Sequence, residues 1–298
     1  MKSWLAALVA AIAASIPVAA LAQQEGAPRV VEYADHDGSK LSGDLYLPKG
    51  ATKAPVIVAV HGGGWQNGNR AGYKYWGPFL AKNGYALFAI SYRLGKPGMY
   101  PRAVYDVKSA IQFVRAKAAD LNVDPDRIGL WGDSAGGQLV DLVALAGDEF
   151  KSEYRNDPNA GTPANVKSVI AFYGVQDMLA QWNHDQLARP RDNIAEKFLG
   201  ASPQQNRRIY FESSPISYAT VDRTRSRFLL VHGTHDDIVD PAQQEAFWMA
   251  LNQAGIFARR IIIPGAGHFF NADPFEGDPT SYGAIAAPRI LRFLQDAL

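Results

Sequence analysis

One serine of the chain stands between small residues, in the hexapeptide GDSAGG at residues 132–137. The apolar run Ile128–Trp131 precedes it, and a helical pattern containing Leu139 and Leu142 follows. A tight turn between a strand and a helix needs small neighbours, and it would hold the hydroxyl of Ser134 above the sheet as a nucleophile. The amide groups at the start of the helix would stabilise developing negative charge. The alternative is a glycine-rich turn with an incidental serine, but the context on both sides favours the nucleophile.

A second glycine-rich segment, HGGGW at residues 61–65, directly follows an apolar run. A tetrahedral oxyanion needs two or three hydrogen-bond donors about 3 Å away, and glycines let the backbone come that close. We assign these donors to the N–H groups of Gly63, Gly64 and Ala135, with the choice of glycine open by one position. His61 is predicted to orient this loop. A phosphate-binding loop is the alternative, but no Lys-Ser or Lys-Thr pair follows.

Segment 232–240 contains three carboxylates that compete for the role of the acid. Asp236 has the spacing His-Gly-x-x-Asp after a buried strand, and Asp237 is the alternative. Asp240 is better explained as the N-cap of a helix that begins at Pro241, with Gln243 at the capping-box position. We therefore predict Asp236 as the acid.

The candidate base is His268, in a loop of small residues after the apolar run Ile261–Ile263. Small neighbours would let its imidazole reach Ser134. A lone histidine is usually structural, but this one follows a good acid and a good nucleophile. Together the residues predict acyl transfer: Ser134 attacks, His268 takes its proton, and Asp236 fixes the imidazole.

Three aromatic residues, Trp65, Trp182 and Phe269, are predicted to contact substrate, because aromatic rings stack on sugars and aryl groups. Phe270 is a fourth candidate. Core packing is the alternative interpretation, equally good for Phe270 and weaker for Trp65, which lies beside the HGGGW segment. His232 and His235 have no third ligand at a convincing spacing, so no metal is predicted. No cofactor is predicted either.

Apolar runs and helical patterns alternate along the chain, which indicates an α/β fold with a mostly parallel sheet of about eight strands and helices on both faces. Segments Arg29–Ala34 and Leu41–Leu47 predict an antiparallel hairpin around Asp37-Gly38. The last helix is predicted from about Tyr282 to Leu298. A stretch without a clear strand, about residues 174–218, is predicted to be a small cap-like insertion. The six further predicted strands are Val56–Val60, Ala86–Ile90, Ile128–Trp131, Val169–Tyr173, Phe228–Val231 and Ile261–Ile263.

Composition excludes several classes of protein. The 298 residues include 30 basic and 29 acidic residues, so no strong field exists to attract nucleic acid or an anionic membrane. With 47% hydrophobic residues the chain is globular, and it has no cysteine, which excludes disulfides and a thiolate nucleophile.

The first 22 residues read as a signal peptide. Lys2 precedes an apolar stretch that ends in Ala20-Leu21-Ala22, so cleavage is predicted before Gln23. A membrane anchor is the alternative, but the stretch is rich in alanine and barely long enough. We expect export to the periplasm or the medium, no stable membrane insertion, and one catalytic domain over residues 23–298.

With these motifs in place, the sequence resembles the α/β-hydrolase superfamily over residues 29–298. The pair HGGGW and GDSAGG resembles that of hormone-sensitive-lipase-like carboxylesterases. Ser91-Tyr92-Arg93-Leu94, Tyr100-Pro101 and Asp106 are similar to the BD-FAE-type branch, bifunctional acetyl-xylan/feruloyl esterases. The resemblance implies Ser134 as nucleophile, His268 as base and Asp236 as its partner, with the oxyanion donors given above.

The predicted function is an exported serine carboxylesterase for short-acyl or aryl esters, among them acetyl or feruloyl groups on plant polysaccharide. The same residues would also serve an amidase, a peptidase or a formamidase. A binding protein on a hydrolase fold is the alternative from another class, but such proteins usually lose the nucleophile or the base. The sequence leaves the oligomeric state open.

Overall fold

A computed structural model describes residues 27–151, 154 and 157–298, so the predicted signal peptide lies outside the described residues. Eight strands form one sheet in the order β1-β2-β4-β3-β5-β6-β7-β8. The strands are β1 Arg29–His36, β2 Ser39–Tyr46, β3 Ala54–Val60, β4 Ala86–Ile90, β5 Val123–Asp133, β6 Ser168–Phe172, β7 Arg227–Gly233 and β8 Ala258–Ile263.

Only β2 runs antiparallel to the other strands. Strands β1 and β2 form the predicted hairpin around Asp37 and Gly38, which both have positive φ, and β2 pairs antiparallel with β4. All remaining pairs are parallel. Parallel strands place their carboxyl ends at the same edge, so the loops after β3, β5, β7 and β8 lie close together.

Helices cover both faces of the sheet because the central strands are apolar on both sides. In β3, Val56, Val58 and Val60 pack in one core cluster with α2, α4 and α8, while Ile57 and Ala59 face α1 and α9. The helices are α1 Trp76–Lys82, α2 Arg102–Ala116, α3 Ala118–Leu121, α4 Ala135–Ala146, α5 Met178–Ala188, α6 Ile194–Leu199, α7 Arg207–Glu212, α8 Pro241–Gln253 and α9 Tyr282–Ala297.

The predicted strands and the observed ones differ mainly in length. Strand β5 begins at Val123, five residues before the predicted start, because Val123 pairs with Ala54 ahead of a register shift in β3. The insertion at about 174–218 contains three short helices, α5 to α7. None of the helices in the described part of the chain is long and apolar enough to cross a membrane.

Candidate active site

Ser134 stands at the turn between β5 and α4, with φ 54° and ψ −120°. This strained conformation for a non-glycine residue is held by close backbone packing on both sides. A Cβ at Gly132 would overlap the carbonyl of Gly136, and a Cβ at Gly136 would overlap the carbonyl of Val60. The two flanking glycines are therefore steric requirements of the turn.

The structure brings the three predicted triad residues together. His268 Nε2 lies 2.8 Å from Ser134 Oγ, and His268 Nδ1 lies 2.7 Å from Asp236 Oδ2. Asp237 is exposed, and Asp240 caps α8 by accepting a hydrogen bond from Ala242 N. Of the three carboxylates considered, Asp236 is the one in contact with His268. Gln243 does not complete a capping box, because its Oε1 accepts from the backbone N–H groups of residues 176 and 177.

The Asp236 carboxylate is saturated with donors. Its Oδ1 accepts from the N–H groups of Ile238 and Val239, at 2.9 and 3.0 Å, and its Oδ2 faces both His268 and His232. Burial alone would raise the pKa of Asp236, but hydrogen bonds from the two histidines and Val239 hold it well below its ordinary value. Asp236 is thus ionised throughout the neutral range and can stabilise an imidazolium.

The HGGGW loop lies beside the nucleophile. A Cβ at Gly62 would come within 3.0 Å of Ser134 Cβ. Gly63 has φ 114°, and a Cβ at this position would overlap the carbonyl of Asn67. Within the described part of the chain, no acceptor is hydrogen-bonded to the N–H groups of Gly63, Gly64 or Ala135. These three N–H groups are free to bind an oxyanion next to Ser134.

A half-buried aspartate that sequence reasoning missed joins the two glycine-rich motifs. Asp133 Oδ2 accepts from Gly62 N at 3.1 Å, and its Oδ1 accepts from the Tyr73 hydroxyl at 2.8 Å. The same hydroxyl lies 2.9 Å from the carbonyl of Val60. Burial raises the pKa of Asp133 to about 6, although these hydrogen bonds oppose the rise. Only its place before Ser134 could have drawn attention to it.

His61 orients the loop, as predicted. Its Nδ1 lies 2.8 Å from the carbonyl of Gly62, and its ring stacks on Tyr92 with centroids 4.6 Å apart. The hydroxyl of Tyr92 donates to the carbonyl of His61 at 2.9 Å. Both rings are buried, so neither is available for proton transfer to substrate.

Trp65 does not fit the predicted role in substrate contact. Its ring is 1% exposed and stacks on Phe198 with centroids 4.5 Å apart, and its Nε1 donates to Gln138 Oε1 at 3.0 Å. The backbone of Trp65 is left-handed, with φ 58°. The residue therefore anchors the end of the loop in the core.

The other predicted aromatic contacts differ in exposure. Phe269 is 60% exposed and lies edge-on to His268, with centroids 4.6 Å apart. Trp182 is half-buried on α5, and its Nε1 donates to Glu196 Oε1. Phe270 is buried against Phe172, as its core reading implies. Phe269 is the one of these rings placed to meet a substrate beside the base.

The insertion contacts both sides of the site. Ile194, at the start of α6, packs against Gly64, since a Cβ there would lie 3.4 Å from Ile194 Cδ1. On α5, Gln181 Nε2 donates to the carbonyl of Ile238 at 3.0 Å, and His184 Nε2 donates to that of Asp237 at 2.9 Å. A surface cavity of about 400 Å³ between α5 and α8 is not lined by any triad residue.

A second serine–histidine–aspartate arrangement cannot serve as an active site. His36 Nδ1 lies 2.8 Å from Asp106 Oδ1, and Ser109 Oγ lies 3.4 Å from His36 Nε2. All three residues are at most 1% exposed, and Arg93 donates to Asp106 through its backbone N and its Nε. No substrate can reach Ser109, so this cluster ties the hairpin to α2. The described residues contain no group of three or more side chains able to hold a metal.

Known proteins share this arrangement of sheet and loops. A model of the BD-FAE family matches residues 43–251, a range that includes the HGGGW loop, Ser134 and Asp236. The chain belongs to the BD-FAE family. His268 lies beyond the matched range, in the loop after β8.

Among relatives of this BD-FAE protein, the esterase LipC of Mycobacterium tuberculosis is 31% identical over 241 residues, covering 78% of this chain and 57% of that protein. A probable isoprenylcysteine alpha-carbonyl methylesterase, ICMEL1 of Oryza sativa subsp. japonica, is 30% identical over 262 residues, covering 84% of this chain and 59% of that protein. The chain thus spans a little under 60% of the length of these relatives.

The esterase Est2 of the planctomycete Thermogutta terrifontis has a similar structure. The TM-score is 0.75 at 26% identity, with 91% of this chain and 92% of that chain covered. The order of strands and the coverage of the match establish the α/β-hydrolase fold for this BD-FAE protein.

Proposed function

We propose that the chain is an exported serine carboxylesterase that cleaves short-acyl or aryl esters, including acetyl or feruloyl groups on plant polysaccharide. The observation that carries the proposal is the unbroken hydrogen-bonded series from Ser134 Oγ through His268 to Asp236, at 2.8 and 2.7 Å. Relatives named as esterases support the reaction class, and the predicted signal peptide supports export.

In the first step, Ser134 Oγ attacks the carbonyl carbon of the ester and its proton passes to His268 Nε2. The carbonyl oxygen becomes an oxyanion, which would be stabilised by the N–H groups of Gly63, Gly64 and Ala135, for which the described residues offer no other acceptor. The imidazolium is stabilised by ionised Asp236. Collapse of the intermediate breaks the ester C–O bond, and the leaving alcohol takes the proton from His268.

The second step repeats this geometry with water. His268 takes a proton from a water molecule, whose oxygen attacks the acyl carbon on Ser134. The second tetrahedral intermediate collapses, the carboxylic acid leaves, and Ser134 Oγ recovers its proton from His268. Over both steps one water molecule is consumed, and its two protons leave with the alcohol and the carboxylic acid or return to Ser134, so the protons balance.

The surroundings favour small acyl groups and flat aromatic or sugar partners. Ser134 is only 7% exposed, and Ile194 from the insertion packs against Gly64, which narrows the approach to the oxyanion loop. Phe269 offers an exposed ring next to His268. Aromatic faces of this kind stack on sugars and aryl groups.

Hydrolysis by the full chain and by Ser134→Ala tests the proposal, with p-nitrophenyl esters from acetate to palmitate, methyl ferulate, acetylated xylan and one anilide. We expect the wild type to cleave short esters, and kcat of the variant to fall on the order of 10⁴-fold or more. Wild-type turnover in Ser134→Ala would refute the assignment of the nucleophile. Anilide cleavage with poor ester turnover would favour an amidase.

Export is tested on the same protein. When the full chain is produced in a bacterial host, we expect it outside the cytoplasm with an N-terminus at Gln23. Recovery from the cytoplasm with residues 1–22 still attached would refute export without affecting the esterase proposal.

A further inference from the structure

A second histidine contacts the acid of the triad. His232 is the penultimate residue of β7 and is fully buried. Its Nε2 lies 3.0 Å from Asp236 Oδ2, the oxygen that also accepts from His268 Nδ1, and 3.1 Å from the carbonyl of Val239. Two imidazoles therefore converge on one carboxylate oxygen.

The partners of His232 show which of its ring nitrogens carries a hydrogen. Both oxygens near its Nε2 are acceptors, so Nε2 must carry a hydrogen and donate it. Its Nδ1 is buried and has no hydrogen-bond partner in the described part of the chain. A proton there would be a buried donor without an acceptor, which is costly. His232 thus donates from Nε2.

This donor completes the set around Asp236. Ile238 N and Val239 N donate to Oδ1 and His268 donates to Oδ2, while the Nε2–H of His232, shared with the carbonyl of Val239, is the fourth donor that faces the carboxylate, 3.0 Å from Oδ2. The donors on Oδ1 and His268 on Oδ2 already limit rotation about the Cβ–Cγ bond of Asp236, and His232 limits it further. The fourth contact fixes the direction of the Oδ2 lone pair that faces His268.

We propose that His232 is a positioning residue for the reaction: its Nε2–H holds Asp236 Oδ2 in line with His268 Nδ1. This inference rests on the proposed esterase function. His232 touches neither the substrate nor Ser134, and it acts only through Asp236.

Two amide variants separate this role from core packing. His232→Gln can place an amide N–H near the position of Nε2, whereas the side chain of His232→Asn is one methylene shorter and cannot reach Asp236. We expect kcat of His232→Asn to fall about tenfold with KM unchanged, and His232→Gln to recover most of that loss. His235→Asn, an exposed position in the same loop, is the matched control and should behave as the wild type.

The pH profile gives a second readout. With one donor fewer, the Asp236 carboxylate stabilises the positive charge on His268 more strongly. The acid limb of kcat/KM should therefore move to higher pH in His232→Asn and return to its wild-type position in His232→Gln. Tyr173, after β6, interacts electrostatically with Asp236 and also with Asp133 and Asp273, and His184 on α5 donates to the carbonyl of Asp237. All are the same in both variants, so the difference between the variants belongs to position 232.

Rates are normalised by titrating active sites with a p-nitrophenyl phosphonate, so that loss of folded protein does not count as loss of kcat. If His232→Asn does not fold, His232→Leu, which also lacks the donor, replaces it in the comparison. Equal kcat and equal pH profiles for the Asn and Gln variants would overturn the proposal.

A spectroscopic measurement keeps this inference separate from the proposed function. The proton between His268 Nδ1 and Asp236 should give a low-field NMR resonance in the resting protein, absent in His268→Ala. We expect His232→Asn to shift or lose it and His232→Gln to keep it, whether or not any ester is cleaved. An unchanged resonance in His232→Asn would refute the inference, while a wild type that cleaves no ester would refute only the esterase proposal.

Discussion

Asp133 is expected to hold the HGGGW loop in place, but its charge is expected to lower the free energy of unfolding. Its ordinary pKa is 3.8, and burial raises it to about 6 in the folded protein. Because the pKa is higher in the folded protein, the contribution of Asp133 to the free energy of unfolding is fully present below pH 3.8. It is lost as the pH rises through about 6. At neutral pH the difference amounts to about 3 kcal/mol of lost stability.

The substitution Asp133→Asn removes the charge and keeps the shape. Its oxygen can accept from Gly62 N. The Tyr73 hydroxyl can turn its hydrogen to the carbonyl of Val60, 2.9 Å away, and accept from the new amide group. All polar atoms then keep partners. We expect the variant to be more stable than the wild type at neutral pH by an amount approaching about 3 kcal/mol, and equally stable below pH 3.8.

Urea unfolding at a series of pH values measures the effect. The wild-type and Asn curves should diverge between pH 3.8 and about 6. Activity is measured in parallel with Asp133→Ala: Asn should stay within a few-fold of the wild type, whereas Ala leaves Gly62 N–H without its acceptor and should lose about tenfold in kcat. Stability curves that remain parallel across this range would refute the reasoning.

Two further predictions concern α4. Burial raises the pKa of Asp141 to about 8, and among the described residues its buried Oδ1 has no hydrogen-bond partner. The free energy of unfolding of the wild type should therefore fall as the pH rises from 3.8 through about 8, while urea unfolding of Asp141→Asn should keep only the fall up to about pH 6 that Asp133 causes. A wild-type curve parallel to that of the variant would contradict this. Gly136→Ala should prevent recovery of folded protein, because the new Cβ would overlap the carbonyl of Val60, whereas Gly72→Ala, with open space around it, should fold as judged by circular dichroism.

The sequence predicts well those features that depend on local chemistry. The turn at Ser134 requires small neighbours whatever lies around it, and the apolar run 56–60 requires cover on both faces of its strand. Asp236 and His268 could be paired with Ser134 because parallel strands end at one edge. In each case the residue types along the chain are enough to predict the feature.

Features that depend on distant partners could not be predicted. Trp65 is an aromatic residue beside a reactive loop, and only the position of Phe198, from the insertion, shows that its ring is packed inside. Gln243 has the spacing of a capping box, but residues 176 and 177 offer its side chain buried N–H donors instead. Asp133 joins two loops 71 residues apart. No periodicity in the sequence records such contacts.

The insertion between β6 and β7 sets a boundary for protein engineering. It contributes no triad residue, so exchange of α5 to α7 for the corresponding segment of a relative is an obvious way to alter substrate range. The exchange would also remove the donors that Gln181 and His184 supply to the backbone of Ile238 and Asp237, next to Asp236. A chimera that keeps α5 and replaces only the part from α6 onward would leave the loop around Asp236 with its contacts to α5. The segment between α5 and α6 is therefore the better crossover point.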